Sequence, residues 1–141
     1  HLYVTYSGSR GQEAPVSIFR VTPEGTREPF VSGIVNATSM TYGPDGHLYV
    51  SSRFEGAVYR VQVDGTYQQV ASDLGVACGL AFDANGVLFV GDRSGTIFRV
   101  EEGRATPSSA QTSASRINTT GRWRRSHCPG PIASRTSIRL A

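Results

Sequence analysis

Two arginines stand at the same place in two successive stretches of this 141-residue chain, in Ser52-Arg53 and in Asp92-Arg93. Each follows a short run of alternating apolar residues. A guanidinium offers a planar fork of donors that a carboxylate or phosphate can meet with two parallel hydrogen bonds. Loops at strand ends on a rigid scaffold commonly carry binding residues. Arg53, Asp92 and Arg93 are therefore candidates for binding an anion. The preferred alternative is a solvated ion pair with Asp92 or Glu55. Arg20, Arg60 and Arg99 also recur at one register, inside the runs IFRV, VYRV and IFRV, and the expectation there is a structural role, with the arginine stem packed along a neighbour. His1 and His47 share a register as well, but no acid or cysteine recurs beside them at metal spacing, so they read as strand-edge residues. Cys78 and Cys128 are the two cysteines, too few for a disulfide scaffold. No P-loop, zincin helix, GxSxG elbow or dinucleotide fingerprint is present. No catalytic residue is assigned.

The elements that must carry these residues repeat. Residues 44–50 read PDGHLYV and residues 84–90 read ANGVLFV, an offset of 40. Val58–Val61 reads VYRV and Ile97–Val100 reads IFRV, while Ile18–Val21 is IFRV again. His1–Val4 is identical to His47–Val50. Each unit decodes into short strands. Ser39–Tyr42 and Gly79–Phe82 come first, followed by turns at Pro44-Asp45-Gly46 and Ala84-Asn85-Gly86, whose Asp-Gly and Asn-Gly pairs suit positive φ. In the next run Leu48 and Val50 share one face and His47 and Tyr49 the other. A third strand covers Ala57–Val63 or Thr96–Val100, and after Asp64-Gly65 a fourth covers Thr66–Ala71. Tyr3, Tyr49 and Phe89 fall on one register and Phe19, Tyr59 and Phe98 on another, which predicts aromatic packing between repeats rather than ligand stacking.

Four short antiparallel strands in about 40 residues is the period of a propeller blade. A β-sandwich also has short strands and many turns, but does not require the same turn-strand sequence three times at a fixed offset. The expectation is an all-β partial β-propeller of about two and a half blades, at 1–33, 36–73 and 77–106. A ring needs about 4–8 blades, so the chain reads as a fragment of a longer propeller. No apolar run approaches the roughly 20 residues of a membrane helix. The sequence opens at His1 without a charged leader or apolar h-region, so no address is readable, and an extracytoplasmic one stays open.

Charge divides the chain. All 14 basic residues are Arg, and residues 1–102 hold 7 of them against all 11 acids, net −4, leaving 7 Arg and no acid, net +7, in residues 103–141. All 14 Val residues also lie in 1–102, whereas the last 39 residues hold 12 Ser or Thr. Such a composition buries too little surface to offset chain entropy, so Gly103–Ala141 reads as mostly disordered and 107–141 as a tail outside the blades. GRWRRSH within it has the look of a nucleic-acid patch. The preferred reading is an out-of-frame end: Arg122-Trp123-Arg124-Arg125 read two bases out of frame begins apolar-Ala when Arg124 has a CGN codon, the pair that Leu80-Ala81 shows at a blade opening.

The elements PDGHLYV, VYRV, GLAFDANGVLFVGD and IFRV resemble the blades of six-bladed propellers of the SMP-30/gluconolactonase and NHL-repeat group, and the streptogramin-lyase type is similar. The resemblance covers residues 1–102. In lactonase members it implies a divalent cation at the channel, with an Asn and an Asp just before a Gly-apolar pair that opens a first strand; calcium or magnesium there would polarise a lactone carbonyl. The matching slots in this sequence hold Thr38 and Cys78, which are poor ligands for a hard cation. The expectation is therefore no metal and no cofactor in this chain. Asn36, just before the first strand of the second blade, could face the channel, but a turn role closing the blade connection is preferred. Asn36-Ala37-Thr38 and Asn118-Thr119-Thr120 also match the glycosylation acceptor pattern, which is common by chance.

The functional reading is a fragment of an SMP-30/NHL-like propeller with a non-catalytic binding or scaffold role. Its ligand-binding candidates are Asn36, Thr38, Arg53, Cys78, Asp92 and Arg93. The partner is a small molecule or a protein, with no membrane, and nucleic acid is disfavoured. The alternative is a metal-dependent lactone hydrolase, or a streptogramin-lyase-like enzyme, whose active residues lie in other blades.

Overall fold

The computed structural model describes residues 1–108. They contain eleven strands and no helix, and hence no helix long and apolar enough to cross a membrane. Strands β1 (Leu2–Thr5), β2 (Ile18–Val21) and β3 (Arg27–Val31) form one antiparallel sheet. A second holds β4 (Ala37–Tyr42), β5 (Leu48–Ser52), β6 (Ala57–Val61) and β7 (Tyr67–Ala71). The third holds β8 (Ala77–Phe82), β9 (Leu88–Asp92), β10 (Ile97–Glu101) and β11 (Arg104–Pro107). Strand order follows chain order in all three sheets, so each is a four-stranded meander or most of one.

The turns explain the meander. Gly46 and Gly86 take φ of 76° and 81°, and the Asp83 carboxylate accepts Asn85 N–H at 2.9 Å and Val87 N–H at 2.8 Å to close the second turn. The third strand is shorter than the sequence suggested. It stops at Val61 because Gln62 N–H and Thr66 C=O close a tight turn at 2.7 Å, which leaves Val63 89% exposed. The first strands begin earlier than expected, at Ala37 and Ala77, with a register shift just inside each.

The sheets pack face to face through two apolar layers. Leu48, Val50, Tyr59 and Val61 join Ile18, Val31 and Ile34 between the first and second sheets. Val58, from the opposite face of β6, joins Leu74, Leu88 and Val90 between the second and third. The alternation read from the sequence thus makes the second sheet buried on both faces. Tyr49 packs on Phe82 at 4.9 Å between ring centroids and Tyr3 on Phe30 at 5.0 Å, so these aromatics do fill the layers.

One expectation fails at the end of the body. Gly103 does not open a disordered segment, because Glu102 and Gly103 take φ of 51° and 76° and form the turn of a hairpin, and Arg104–Pro107 pair with β10, Ala105 opposite Val100. A third blade needs a fourth strand, and four residues suffice to supply it. The remaining tail, with GRWRRSH, Asn118 and Cys128, lies outside the described residues.

Candidate functional site

At one end of the sheets, the loops leaving β1, β5 and β9 meet the starts of β4 and β8. They enclose a cavity of about 380 Å³ lined by Arg10, Thr38, Arg53, Phe54, Val76, Cys78 and Arg93. Four of the six sequence candidates (Thr38, Arg53, Cys78 and Arg93) therefore sit together. Asn36 and Asp92 lie behind the lining and hold it.

The backbones of Arg53 and Arg93 are anchored alike. Arg53 N–H donates to Asn36 C=O at 3.3 Å and Arg93 N–H to Val76 C=O at 3.1 Å. The two acceptors are 40 residues apart, like the two donors, and both lie in the connection that enters the inner strand. Asp92 accepts Val76 N–H at 2.6 Å and Ser94 N–H at 3.0 Å, and Ser94 Oγ also donates to it. These bonds, the Ser94 hydroxyl first and Val76 N–H next, hold the Asp92 carboxyl below the usual range. Asp92 therefore fastens the Arg93 loop to the third sheet, and its carboxylate is engaged by backbone N–H groups and the Ser94 hydroxyl, not by the Arg93 guanidinium.

Arg10 belongs to the same ring, and the sequence reading missed it. Its loop, residues 6–17, is much longer than 53–56 or 93–96, so Arg10 stands further from its strand than Arg53 or Arg93 and the offset conceals it. The signal was an arginine in the loop that follows Leu2–Thr5, as Arg53 and Arg93 follow their own strands. Asn36 fixes this loop. It is 1% exposed, with φ of 50°. Its amide accepts Gly11 N–H at 2.8 Å and donates to Ser9 C=O at 2.8 Å and to Ser7 C=O. Asn36 thus grips the chain on both sides of Arg10 and does not face the cavity.

The ion pairs fit a structural role for the strand arginines, and the pairing expected of Arg53 and Arg93 with Asp92 or Glu55 is not formed. The strand arginines are the paired ones: Arg20 with Glu28 at 2.9 Å, Arg60 with Asp45 at 2.6 Å and Arg99 with Glu101 at 2.7 Å. The carboxylates come from the neighbouring strand for Arg20, from the preceding turn for Arg60 and from the same strand for Arg99, and Arg20 also lies over the Phe30 ring. Arg10, Arg53 and Arg93 have no carboxylate within ion-pair distance among the described residues. Asp92 is met by backbone N–H groups and the Ser94 hydroxyl, and Glu55 accepts the Tyr59 hydroxyl at 3.0 Å. His47 sits beside Asp45 at 3.4 Å and Arg60 at 2.9 Å, in the turn at the other end of the blade.

Thr38 and Cys78 take equivalent places at the start of the inner strands. Thr38 Oγ1 donates to Asn36 C=O at 2.8 Å. The carbonyls of both residues accept hydroxyls from the preceding sheet, Thr5 to Thr38 and Ser51 to Cys78, each at 3.2 Å. Among the described residues no three His, Cys, Asp or Glu side chains converge as metal ligands. A more open depression at the opposite end, about 560 Å³, is lined by Gly86, Val87, Val100, Glu101 and Glu102; its ionisable residues are carboxylates, and the sequence candidates do not reach it.

This arrangement of successive antiparallel meanders, one of three strands and two of four, defines a β-propeller fold. No protein-family model matches the chain, and no curated protein sequence does. Solved structures do. A virginiamycin B lyase from Staphylococcus aureus, in an inactive form with quinupristin, is 19% identical over 70% of this chain and 36% of its own, with a TM-score of 0.56. A streptogramin B lyase is 18% identical over 64% of this chain and 33% of its own, with a TM-score of 0.53. A protein assigned as a gluconolactonase is 24% identical over 71% of this chain and 37% of its own, with a TM-score of 0.52. The chain thus spans about a third of the length of these structures, and the likeness is one of fold.

Proposed function

We propose that the chain is part of a β-propeller with a binding role, and that the recess lined by Arg10, Thr38, Arg53, Phe54, Val76, Cys78 and Arg93 takes a small molecule. The observation that carries this reading is convergence: residues from three successive sheets meet in one cavity of about 380 Å³, within the range typical of small-molecule sites. Loops tied to the backbone of the next connection hold that lining in place before any ligand arrives, which lowers the ordering cost of binding. Titrating the isotope-labelled chain with a set of small molecules tests it. Amide shifts should concentrate at Arg10, Thr38, Arg53, Phe54, Cys78 and Arg93. Shifts confined to the depression at Gly86 and Glu102, or spread evenly over the surface, contradict it.

The second reading is a lactone hydrolase or streptogramin-lyase-like enzyme with its active residues in other blades. The structural likeness to a gluconolactonase and to streptogramin lyases favours it. Against a divalent cation in this recess stands the donor set. Thr38 Oγ1 is a single neutral oxygen, Cys78 is a soft ligand, and three guanidinium groups oppose a further positive charge. An Asn or Asp before a Gly-apolar pair in further blades of a full-length sequence would favour the enzyme.

A further inference from the structure

We infer that the recess selects a small organic anion, a carboxylate or phosphate monoester with an apolar body, held by the guanidinium groups of Arg10, Arg53 and Arg93. The inference rests on the recess being the binding site, as proposed above. Its ground is a difference between two sets of recurring arginines. Arg20, Arg60 and Arg99 each meet a carboxylate, whereas the three that line the recess meet none among the described residues. The lining itself contains no acid. Residues 1–102 hold 7 Arg and 11 acids, net −4, so acids are in excess, yet among the described residues none forms an ion pair with a guanidinium of this cluster.

The backbone adds preorganisation. Asn36 grips Ser9 and Gly11 on either side of Arg10, and the bonds from Arg53 and Arg93 to Asn36 and Val76 fix the other two loops. Three cations held in one concave space raise the local concentration of an anion and give it several N–H donors. Phe54, which also lines the recess, and Val76 offer an apolar wall for the body of the ligand.

Cys78 shares the same lining, so its alkylation reads the charge of the recess. On the full chain, rates with anionic iodoacetate and neutral iodoacetamide are followed at the Cys78 peptide by mass spectrometry. Their ratio is divided by the same ratio in the urea-unfolded chain, which removes the intrinsic reactivity of the thiol. The expected ratio is roughly tenfold at low salt, falling toward one at high salt as the charges are screened. The double variant Arg53→Gln, Arg93→Gln should lose the preference, and the salt series on the unsubstituted chain stands even if that variant fails to fold. Millimolar inorganic phosphate and benzoate are then added. The one that slows iodoacetate more identifies the head group, and protection by neither overturns the inference. Free reaction with iodoacetamide and no gain for iodoacetate overturns the anion while leaving the binding recess intact. If neither reagent reaches Cys78 in the folded chain, the recess is closed and both readings fall.

Discussion

The Ser51 hydroxyl donates to the carbonyl oxygen of Cys78 at 3.2 Å, across the boundary between the second and third sheets. Ser51 Oγ also accepts Ser39 N–H at 3.1 Å, and the residue is fully buried. One boundary earlier, Thr5 makes the same bond to Thr38. A hydroxyl at one strand position therefore fixes how far apart successive inner strands begin, and with them the two inner walls of the recess.

Ser51→Ala removes both bonds and leaves Ser39 N–H and Cys78 C=O without that partner. It should cost about 1–2 kcal/mol, read as a shift of the urea midpoint, with faster amide exchange at Ser39. An unchanged midpoint would mean that the boundary is held by apolar packing alone.

Asn36 should be hard to replace. Asn36→Ala gives up the three bonds that hold the Arg10 loop and places alanine at a positive φ, for a loss of about 2–4 kcal/mol. Asn36→Asp should be no better. It keeps an acceptor for Gly11 N–H but turns a second oxygen toward the carbonyls of Ser7 and Ser9. Hydrogen exchange across residues 6–17 should rise in both variants and stay unchanged in the third sheet.

Ile34 and Leu74 occupy equivalent places behind the recess, 1% and 0% exposed. Leu74→Ala opens a cavity between the second and third sheets and should cost about 2–5 kcal/mol. Ile34→Ala should do the same between the first and second. Denaturant melts of the two variants check this, and additivity in the double variant would show that the two layers are independent.

Acid should weaken the fold through its turn carboxylates. The Ser94 hydroxyl and Val76 N–H hold Asp92 low, the Thr66 hydroxyl holds Asp64 low and Val87 N–H holds Asp83 low. A folded-state pKa below the unfolded value of about 3.9 gives stability that is complete above that pH. It is lost as pH falls through the folded values. Asp92→Asn should flatten the acid limb of a stability–pH curve. At the basic end, burial, and then the bond to Glu55, push Tyr59 up to about 12. The folded state then keeps that proton longer, so stability falls as pH climbs from about 10 toward the raised value, and Tyr59→Phe should lessen the loss, with Tyr42, Tyr49 and Tyr67, also raised, supplying the rest.

Repeats made most of the fold legible. The offset of 40 between PDGHLYV and ANGVLFV places turns and strand faces, and Leu48, Val50, Leu88 and Val90 are buried as the alternation requires. The lining of the candidate recess was legible where the loops have equal length, at Arg53 and Arg93. Arg10 escaped because the long loop at residues 6–17 broke the spacing. The partners of the arginines escaped for a different reason: Asp92 precedes Arg93 in sequence, but its oxygens are claimed by Val76 and Ser94, and adjacency along a chain does not say which donor a carboxylate faces. The β11 strand was hidden by composition, since Arg104–Pro107 carries no alternating apolar run of its own.

The measurement closest to the central claim is the stability of the triple variant Arg10→Gln, Arg53→Gln, Arg93→Gln. If these arginines serve a ligand and not the fold, they repel one another in the empty recess. The urea midpoint of the variant should then equal or exceed that of the unsubstituted chain, with the difference shrinking as salt screens the charges. A midpoint that drops at every salt concentration, as in Asn36→Ala, would show that the three arginines hold the blades together, and would contradict the account.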